Sequence, residues 1–295
     1  MEIRIIIWGL RQLARLPLDW NHRIGRLIGR LFVWFPNRER RVSDINLALC
    51  MGELSAGERL ELRNRSLLQA GCTLTELAAI WYWPIDRVMS LVRQVHGEAL
   101  LRCEPGQGLI VLAPHLGCWE IAGLYLASRG EVTSLYRPPR QAQWGPIIKQ
   151  ARQRSGAELV PTDAAGVRRL YQTLRAGGTT GILPDQQPDS SKGAVFAPFC
   201  GVPALTMLLV NRLLLKTGAK AVFCYARRLP AGGGFDIHYL PAPAGLGARD
   251  PVAAATALNL GVEHCIRDCP DQYQWSYKRF KDQPNDARSP YDLMN

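Results

Sequence analysis

Of the five histidines in the chain, His115 occupies the position where chemistry is easiest to build. It follows an uninterrupted apolar run, Leu109–Ala113, short and branched enough to be a buried strand, and Pro114 ends that run. From Leu116 onward, Trp119, Ile121, Ala122 and Leu124 fit an amphipathic helix. His115 therefore falls on the turn between a strand end and a helix start, with Glu120 in the first helical turns. Five helical steps of about 100° would hold two side chains roughly 140° apart. With His115 on the non-helical turn, however, Glu120 can fold back against the imidazole, where the positive end of the helix dipole also favours a carboxylate. Such a pair suits general-base catalysis. A neutral imidazole takes a proton from a substrate hydroxyl, and a carboxylate on its other nitrogen fixes the tautomer and stabilises the imidazolium. An acid five places after a histidine also arises readily by chance. Placement beyond the carboxyl end of a strand, where open α/β sheets build their sites, is what favours the catalytic reading.

Other polar residues collect at strand ends. Tyr136–Arg137–Pro138 follows one expected strand and Asp185–Gln186–Gln187–Pro188 another, while Arg152 and Arg154 close the helix between them. Each alone is an ordinary turn or surface residue; their common placement at one sheet edge is the signal. Rival sites are weaker. Gly106-x-Gly108 precedes its strand, whereas a dinucleotide loop must follow one. No G-x-S-x-G elbow is present, which counts against an α/β-hydrolase serine. Cys118 lies near a helix N-terminus, where thiolates are stabilised, so a Cys–His nucleophile is the competing chemistry. His264, Cys265 and Cys269 lack paired metal-ligand spacing and read as helix packing, and no set of three or four metal ligands stands out along the chain.

The elements that must position these residues begin after Gly106. Expected strands are Leu109–Ala113, Val132–Tyr136, Glu158–Val160, Thr179–Leu183, Lys220–Tyr225 and Phe235–Leu240. Expected helices span 117–128, 144–154, 164–176, 203–217 and 251–269. Strands alternating with helices predict an α/β fold: a mostly parallel sheet flanked by helices on both faces. Residues 37–104 read as a basic, helix-rich lead-in, with Ser55 and Glu58 opening a helix as a capping box. The aromatic group Trp81, Tyr82, Trp83 could face either lipid or core.

Residues 1–35 contain no stretch of 18 uncharged apolar residues, so a conventional spanning helix is not expected. They read as two basic amphipathic helices broken at Pro17. Ile3, Ile6, Ile7, Leu10, Leu13 and Ala14 line one face of the first, with Arg4, Arg11 and Arg15 on a stripe. Ile24, Leu27, Ile28, Leu31, Phe32 and Phe35 line the second, with Arg23, Arg26 and Arg30 beside them. With Trp8, Trp20 and Trp34, this is the composition of an interfacial membrane anchor; docking on the protein's own core is the alternative. The chain thus divides into a membrane-associating segment, 1–35, and an α/β domain, 36–295, whose helical lead-in is 36–104.

The chain has 295 residues, is 47% hydrophobic and carries a formal charge of +11. It can bury a large core, and its arginine-dominated excess suits an acidic partner or surface. Eight scattered cysteines with no cleavable signal peptide are expected to remain reduced thiols.

The pieces APHLGCWE, LYRP, PDQQP, APFCGVPA and PDQYQWSYKRFK, in that order between about residues 110 and 281, resemble the late acyltransferases of lipid A biosynthesis. These are the lauroyl and myristoyl transferase group of the lysophospholipid acyltransferase superfamily. The resemblance implies transfer of a fatty acyl chain from acyl carrier protein to a hydroxyl of a lipid A precursor, at the cytoplasmic face of the inner membrane. It makes His115 the base and Glu120 its partner, with Arg137, Arg154, Asp185 and Gln186 as substrate-binding residues. It implies no cofactor and no metal. Two departures stand out: Cys118 replaces the Asn frequent in the family, and the N-terminal anchor is unusually rich in arginine. The phosphate-binding FPEGTRS-like motif of glycerophosphate acyltransferases is missing, which disfavours a glycerolipid acceptor, although another membrane glycolipid or a lysophospholipid is the nearest alternative. A basic nucleic-acid-binding protein using Tyr273, Trp275 and Tyr277 for stacking is the rival of a different class. Concentration of the arginines on apolar-faced helices favours a membrane, and no nucleic-acid partner is expected.

Overall fold

The computed structural model describes residues 2–292 except 138, 140, 189 and 190, and leaves the side chains of 2–4 and 142 undescribed. Pro138 of the LYRP piece and the Arg4 side chain thus lie outside the description. A seven-stranded sheet carries the fold. Its strands are β1 (Val92–His96), β2 (Leu109–Leu112), β3 (Val132–Tyr136), β4 (Glu158–Pro161), β5 (Thr179–Ile182), β8 (Lys220–Arg228) and β9 (Phe235–Pro241), in the spatial order β1-β9-β8-β2-β5-β3-β4. Within this sheet only β8 and β9 pair antiparallel. The expected α/β fold with a mostly parallel sheet is therefore the one observed.

The central strand is β2, buried at every position and paired through Leu112 with Ile182 on one side and Phe223 on the other. Strands β3, β4 and β5 lie to one side of it and β8 and β9 to the other. Such a reversal in strand order leaves a crevice beyond the carboxyl ends.

Helices cover both faces. On one, α4 (Ala56–Tyr82) and α6 (Trp119–Ser128) bring Ala79, Ile80, Ile121 and Leu124 onto Val111 and Cys224. On the other, α8 (Ala164–Arg175), α9 (Leu209–Thr217) and α10 (Pro251–Asp268) set Leu170, Leu213 and Leu258 against Ile110, Leu112 and Phe223. The α4 N-terminus carries the expected capping box between Ser55 and Glu58. Trp83, at its other end, is buried and donates its indole N–H to the Ala14 carbonyl at 2.6 Å. Trp81 packs against the same core, so these aromatics serve the interior.

Two expectations are corrected. The helix expected over 203–217 starts only at Leu209, because Val202–Met207 forms β7 of an antiparallel hairpin with β6 (Ala194–Phe199). Cys200 and Gly201 form its two-residue turn, both at positive φ (51° and 77°), as a primed hairpin turn requires. Strand β1 was not anticipated at all.

The N-terminal segment forms α1 (Glu2–Leu13) and α2 (Leu18–Trp34), followed by α3 (Arg38–Cys50). Helix α2 lies against α4 through small and polar residues: Asn21, His22, Gly25 and Gly29 are its buried positions after Leu18. The backbones are so close that a Cβ on Gly71 would stand 2.0 Å from the Gly25 carbonyl oxygen. The apolar residues Trp20, Leu27, Leu31 and Trp34 consequently point outward and are exposed, as are Ile5, Ile6 and Trp8 of α1. Among the described residues no helix is long and apolar enough to cross a membrane.

Candidate active site

His115 lies three residues beyond the last paired residue of β2. The turn that holds it is fixed by backbone contacts from two directions. Gly117 N–H donates to Gln272 O at 3.0 Å, Cys118 N–H to Ala226 O at 2.9 Å, and Gln274 N–H to His115 O at 3.1 Å. Gly117 has φ +62°, and a Cβ there would stand 1.9 Å from the Ala226 oxygen, so both conformation and space demand glycine. The tail motif around residues 270–281 thus clamps the histidine turn. Trp275 within it is buried, and Asn46 of α3 donates to the Trp275 and Tyr277 carbonyls at 2.6 and 2.7 Å. Tyr273 and Trp275 are buried, so their rings are not open to stacking on a nucleic acid.

The imidazole partner is Asp185, from the turn after β5. Its Oδ1 lies 2.8 Å from His115 Nδ1, and its Oδ2 accepts the His115 backbone N–H at 3.0 Å. Burial alone would raise the Asp185 pKa; the imidazole and the backbone N–H more than offset it, leaving the carboxyl below its ordinary range. The acid is almost wholly buried and the imidazole only slightly exposed. Trp119 flanks the ring, with centroids 5.1 Å apart.

Glu120 does not take the place against Nδ1 expected for it. Helical geometry turns it toward α7 (Gly145–Gln153), where Arg152 donates Nε–H to Oε1 and Oε2 at 3.2 and 3.1 Å and its Nη2 to Oε1 at 2.5 Å. Trp81 adds an indole N–H at 3.4 Å. Burial would raise the Glu120 pKa, but Arg152 and these donors lower it, so the group is a buried carboxylate. The place against the imidazole expected for Glu120 is thus taken by Asp185, which was expected among the substrate-binding residues, and Glu120 instead anchors Arg152.

Arg154 lies elsewhere. Its guanidinium donates to the carbonyls of Ile80, Trp81 and Trp83, closing the C-terminus of α4. Two helical steps of about 100° separate it from Arg152, which puts the two on opposite sides of α7, and Arg152 is the arginine facing the site. Arg137 is exposed just after β3. Gln186 donates its side-chain amide to Gln274 Oε1 at 3.3 Å, and Gln187 N–H donates to the Tyr277 hydroxyl at 2.9 Å. The residues after Asp185 thus fasten that turn to the tail. Below Glu120 and Arg152 a narrow, mainly apolar cavity runs between α6 and the sheet, lined by Gly123, Leu126, Val132, Leu135, Leu159 and Leu183 among others.

Cys118 is buried, and burial pushes its thiol well above the ordinary range. A nucleophilic cysteine needs the opposite: an exposed thiol whose charge is stabilised. The surrounding groups therefore offer a base with its orienting acid, a buried carboxylate–guanidinium pair and an apolar slot.

The sequence matches the model of the bacterial lipid A biosynthesis acyltransferases over residues 3–282. The chain belongs to that family. It is 27% identical over 289 residues to the lipid A biosynthesis lauroyltransferase of Escherichia coli (strain K12), covering 97% of this chain and 92% of that protein. It is 26% identical over 280 residues to the palmitoleoyltransferase of the same strain, covering 94% and 90%. Its likeness to that strain's myristoyltransferase is 25% over 280 residues, covering 91% and 82%. Membership of this family makes the chain an acyltransferase acting in lipid A biosynthesis.

Proposed function

We propose that the protein transfers a fatty acyl chain from the thioester of acyl carrier protein directly to a hydroxyl of a lipid A precursor, with His115 as general base. The single observation that carries this reading is the double engagement of His115 by Asp185. With Nδ1–H donated to the carboxylate, the lone pair lies on Nε2, the nitrogen available to a substrate hydroxyl. Nε2 takes the hydroxyl proton as the oxygen attacks the thioester carbonyl. The tetrahedral intermediate then collapses, the C–S bond breaks, and the imidazolium returns the proton to the departing thiolate. Asp185 remains ionised and stabilises the imidazolium.

The Glu120–Arg152 pair lines the apolar slot between α6 and the sheet, and this slot takes the acyl chain. In this reading Arg137 beyond β3 and Gln186 beside Asp185 meet polar parts of the substrates. Attachment is to the cytoplasmic face of the inner membrane through α1 and α2, where Trp20, Leu27, Leu31 and Trp34 are exposed beside Arg23 and Arg30. The charge of +11 suits both an anionic lipid surface and an acidic acyl carrier.

The test is reconstitution of the purified protein with acyl-loaded acyl carrier protein and a lipid A precursor, read by mass spectrometry of the lipid. A product heavier by one acyl group, missing with His115→Ala, supports the reading; an unchanged lipid refutes it.

A further inference from the structure

Away from the His115 site, strand pairing gathers a ligand set that linear spacing did not reveal. In the β1–β9 register His96 stands opposite His238, and Gln94 opposite Asp236. Asp236 and His238, two residues apart on β9, project to the same face. One potential ligand atom from each of His96, Asp236 and His238 lies within 4.8 Å of the other two. The imidazoles of His96 and His238 stack at 4.5 Å, and Tyr225 of β8 stacks on the other side of His238 at 4.8 Å.

Two polar atoms in this cluster are buried without a hydrogen-bond partner: Asp236 Oδ1 and His238 Nε2. Asp236 is only 6% exposed, and Arg227 reaches its other oxygen at 3.4 Å. An orphaned carboxylate oxygen beside an orphaned imidazole nitrogen is destabilising unless something engages them. A hydrogen bond between the two would require a proton on that nitrogen and a closer approach.

We propose that His96, Asp236 and His238 bind one divalent transition-metal ion of the zinc class, tying edge strand β1 to β9. Two imidazole nitrogens and one carboxylate oxygen suit zinc, cobalt or nickel. They offer too few oxygens for calcium or magnesium and no thiolate for copper(I). Three protein ligands leave a fourth tetrahedral position for water. Ligand atoms bound at about 2.05 Å stand about 3.3 Å apart in a tetrahedron, so the cluster must tighten, and the exposed His96 at the strand end can turn to do so. The ion would serve the sheet edge; none of the three residues touches His115 or its partners.

The experiment is calorimetric titration of the metal-stripped, full-length protein with zinc and, separately, magnesium, for the wild type and His96→Ala. His96 is exposed, so its truncation leaves the core intact. Cobalt-loaded protein is examined by absorption in parallel. One saturable equivalent of zinc, no saturable magnesium, binding weaker by about tenfold or more in His96→Ala, and a cobalt spectrum without thiolate charge-transfer bands are expected. Unfolding temperature rises with zinc in the wild type alone, and acyl transfer by His96→Ala is unchanged. Failure of zinc to saturate, equal affinity in His96→Ala, or a thiolate band from the cysteines would each overturn the assignment.

Discussion

Asp185 meets His115 because β2 and β5 run parallel with a constant register. Leu112 pairs with Ile182, and each of the two site residues lies three positions further along its own chain. The turns leaving the two strands therefore converge, and the acid arrives at 2.8 Å from Nδ1. Asp185→Asn should preserve the backbone contact and the fold while presenting a neutral group to Nδ1. Turnover is expected to fall by about 10²–10⁴-fold, with little change in KM for the acyl donor. Steady-state kinetics check this, and a loss below tenfold would remove Asp185 from its orienting role.

The Glu120–Arg152 pair should behave as one unit. Glu120→Gln and Arg152→Gln each leave a buried charge without its counterpart, so each is expected to lower activity severely. The double variant is expected to lose far less than the sum of the two. Arg154→Gln instead removes the donor to the carbonyls at the α4 C-terminus and should act through thermal stability. A double-mutant cycle on transfer rate, with melting curves for Arg154→Gln, decides between these roles; additive losses at 120 and 152 would contradict the pairing.

The sheet was legible because parallel strands buried on both faces are continuous apolar runs, as at Leu109–Leu112. Strand β1, Val92–Arg-Gln-Val-His96, carries three polar residues at the sheet edge, and the β6–β7 hairpin hides behind Pro198 and Pro203. His115, Asp185 and Gln186 could be marked as strand-end residues. Which acid reaches the imidazole could not, since that depends on strand order, and β5 had to be known as the neighbour of β2. The resemblance points to Arg154 and not Arg152, although a two-residue step on a helix changes the face. The inner face of α2 was not legible for a different reason. Glycines at 25, 29 and 71 permit backbone contact, so the large apolar residues were released to the outside.

A fully buried ion pair underlies this arrangement. Arg228 of β8 donates Nε–H to Glu76 Oε2 at 2.5 Å and reaches Gly117 O at 3.4 Å, while His22 of α2 lies 3.0 Å from Glu76. Burial opposes the Glu76 charge, yet Arg228 and His22 bring its pKa from an ordinary 4.5 down to about 2. A lowered carboxyl pKa contributes stability that is complete above about pH 4.5 and is lost as pH falls from there toward 2. Glu76→Gln strands Arg228 and is expected to cost about 3–5 kcal/mol at neutral pH, and to flatten the acid limb of the stability curve. Chemical denaturation across pH 3–7 would show this; a parallel acid limb in the variant would exclude Glu76 as its source.

Membrane association should draw on both parts of the α1–α2 surface. Arg11, Arg15, Arg23 and Arg30 changed together to Glu are expected to shift the protein off anionic vesicles, most strongly at low ionic strength and less as salt screens the charges. Trp20→Ser with Leu27→Ser and Trp34→Ser should weaken binding at every salt concentration. Vesicle co-sedimentation measures both. Undiminished binding by the two variants would show that α1 and α2 serve internal packing alone.

Direct attack on the thioester is the central chemical claim, and a buried Cys118 with a raised pKa is its counterpart. The most direct measurement is intact-protein mass spectrometry after incubation with labelled acyl-loaded acyl carrier protein and no acceptor. The protein is expected to keep its unmodified mass, with Cys118→Ser retaining most of its transfer activity when the lipid acceptor is then supplied. A stoichiometric acyl adduct on the protein that disappears in Cys118→Ser would contradict direct transfer.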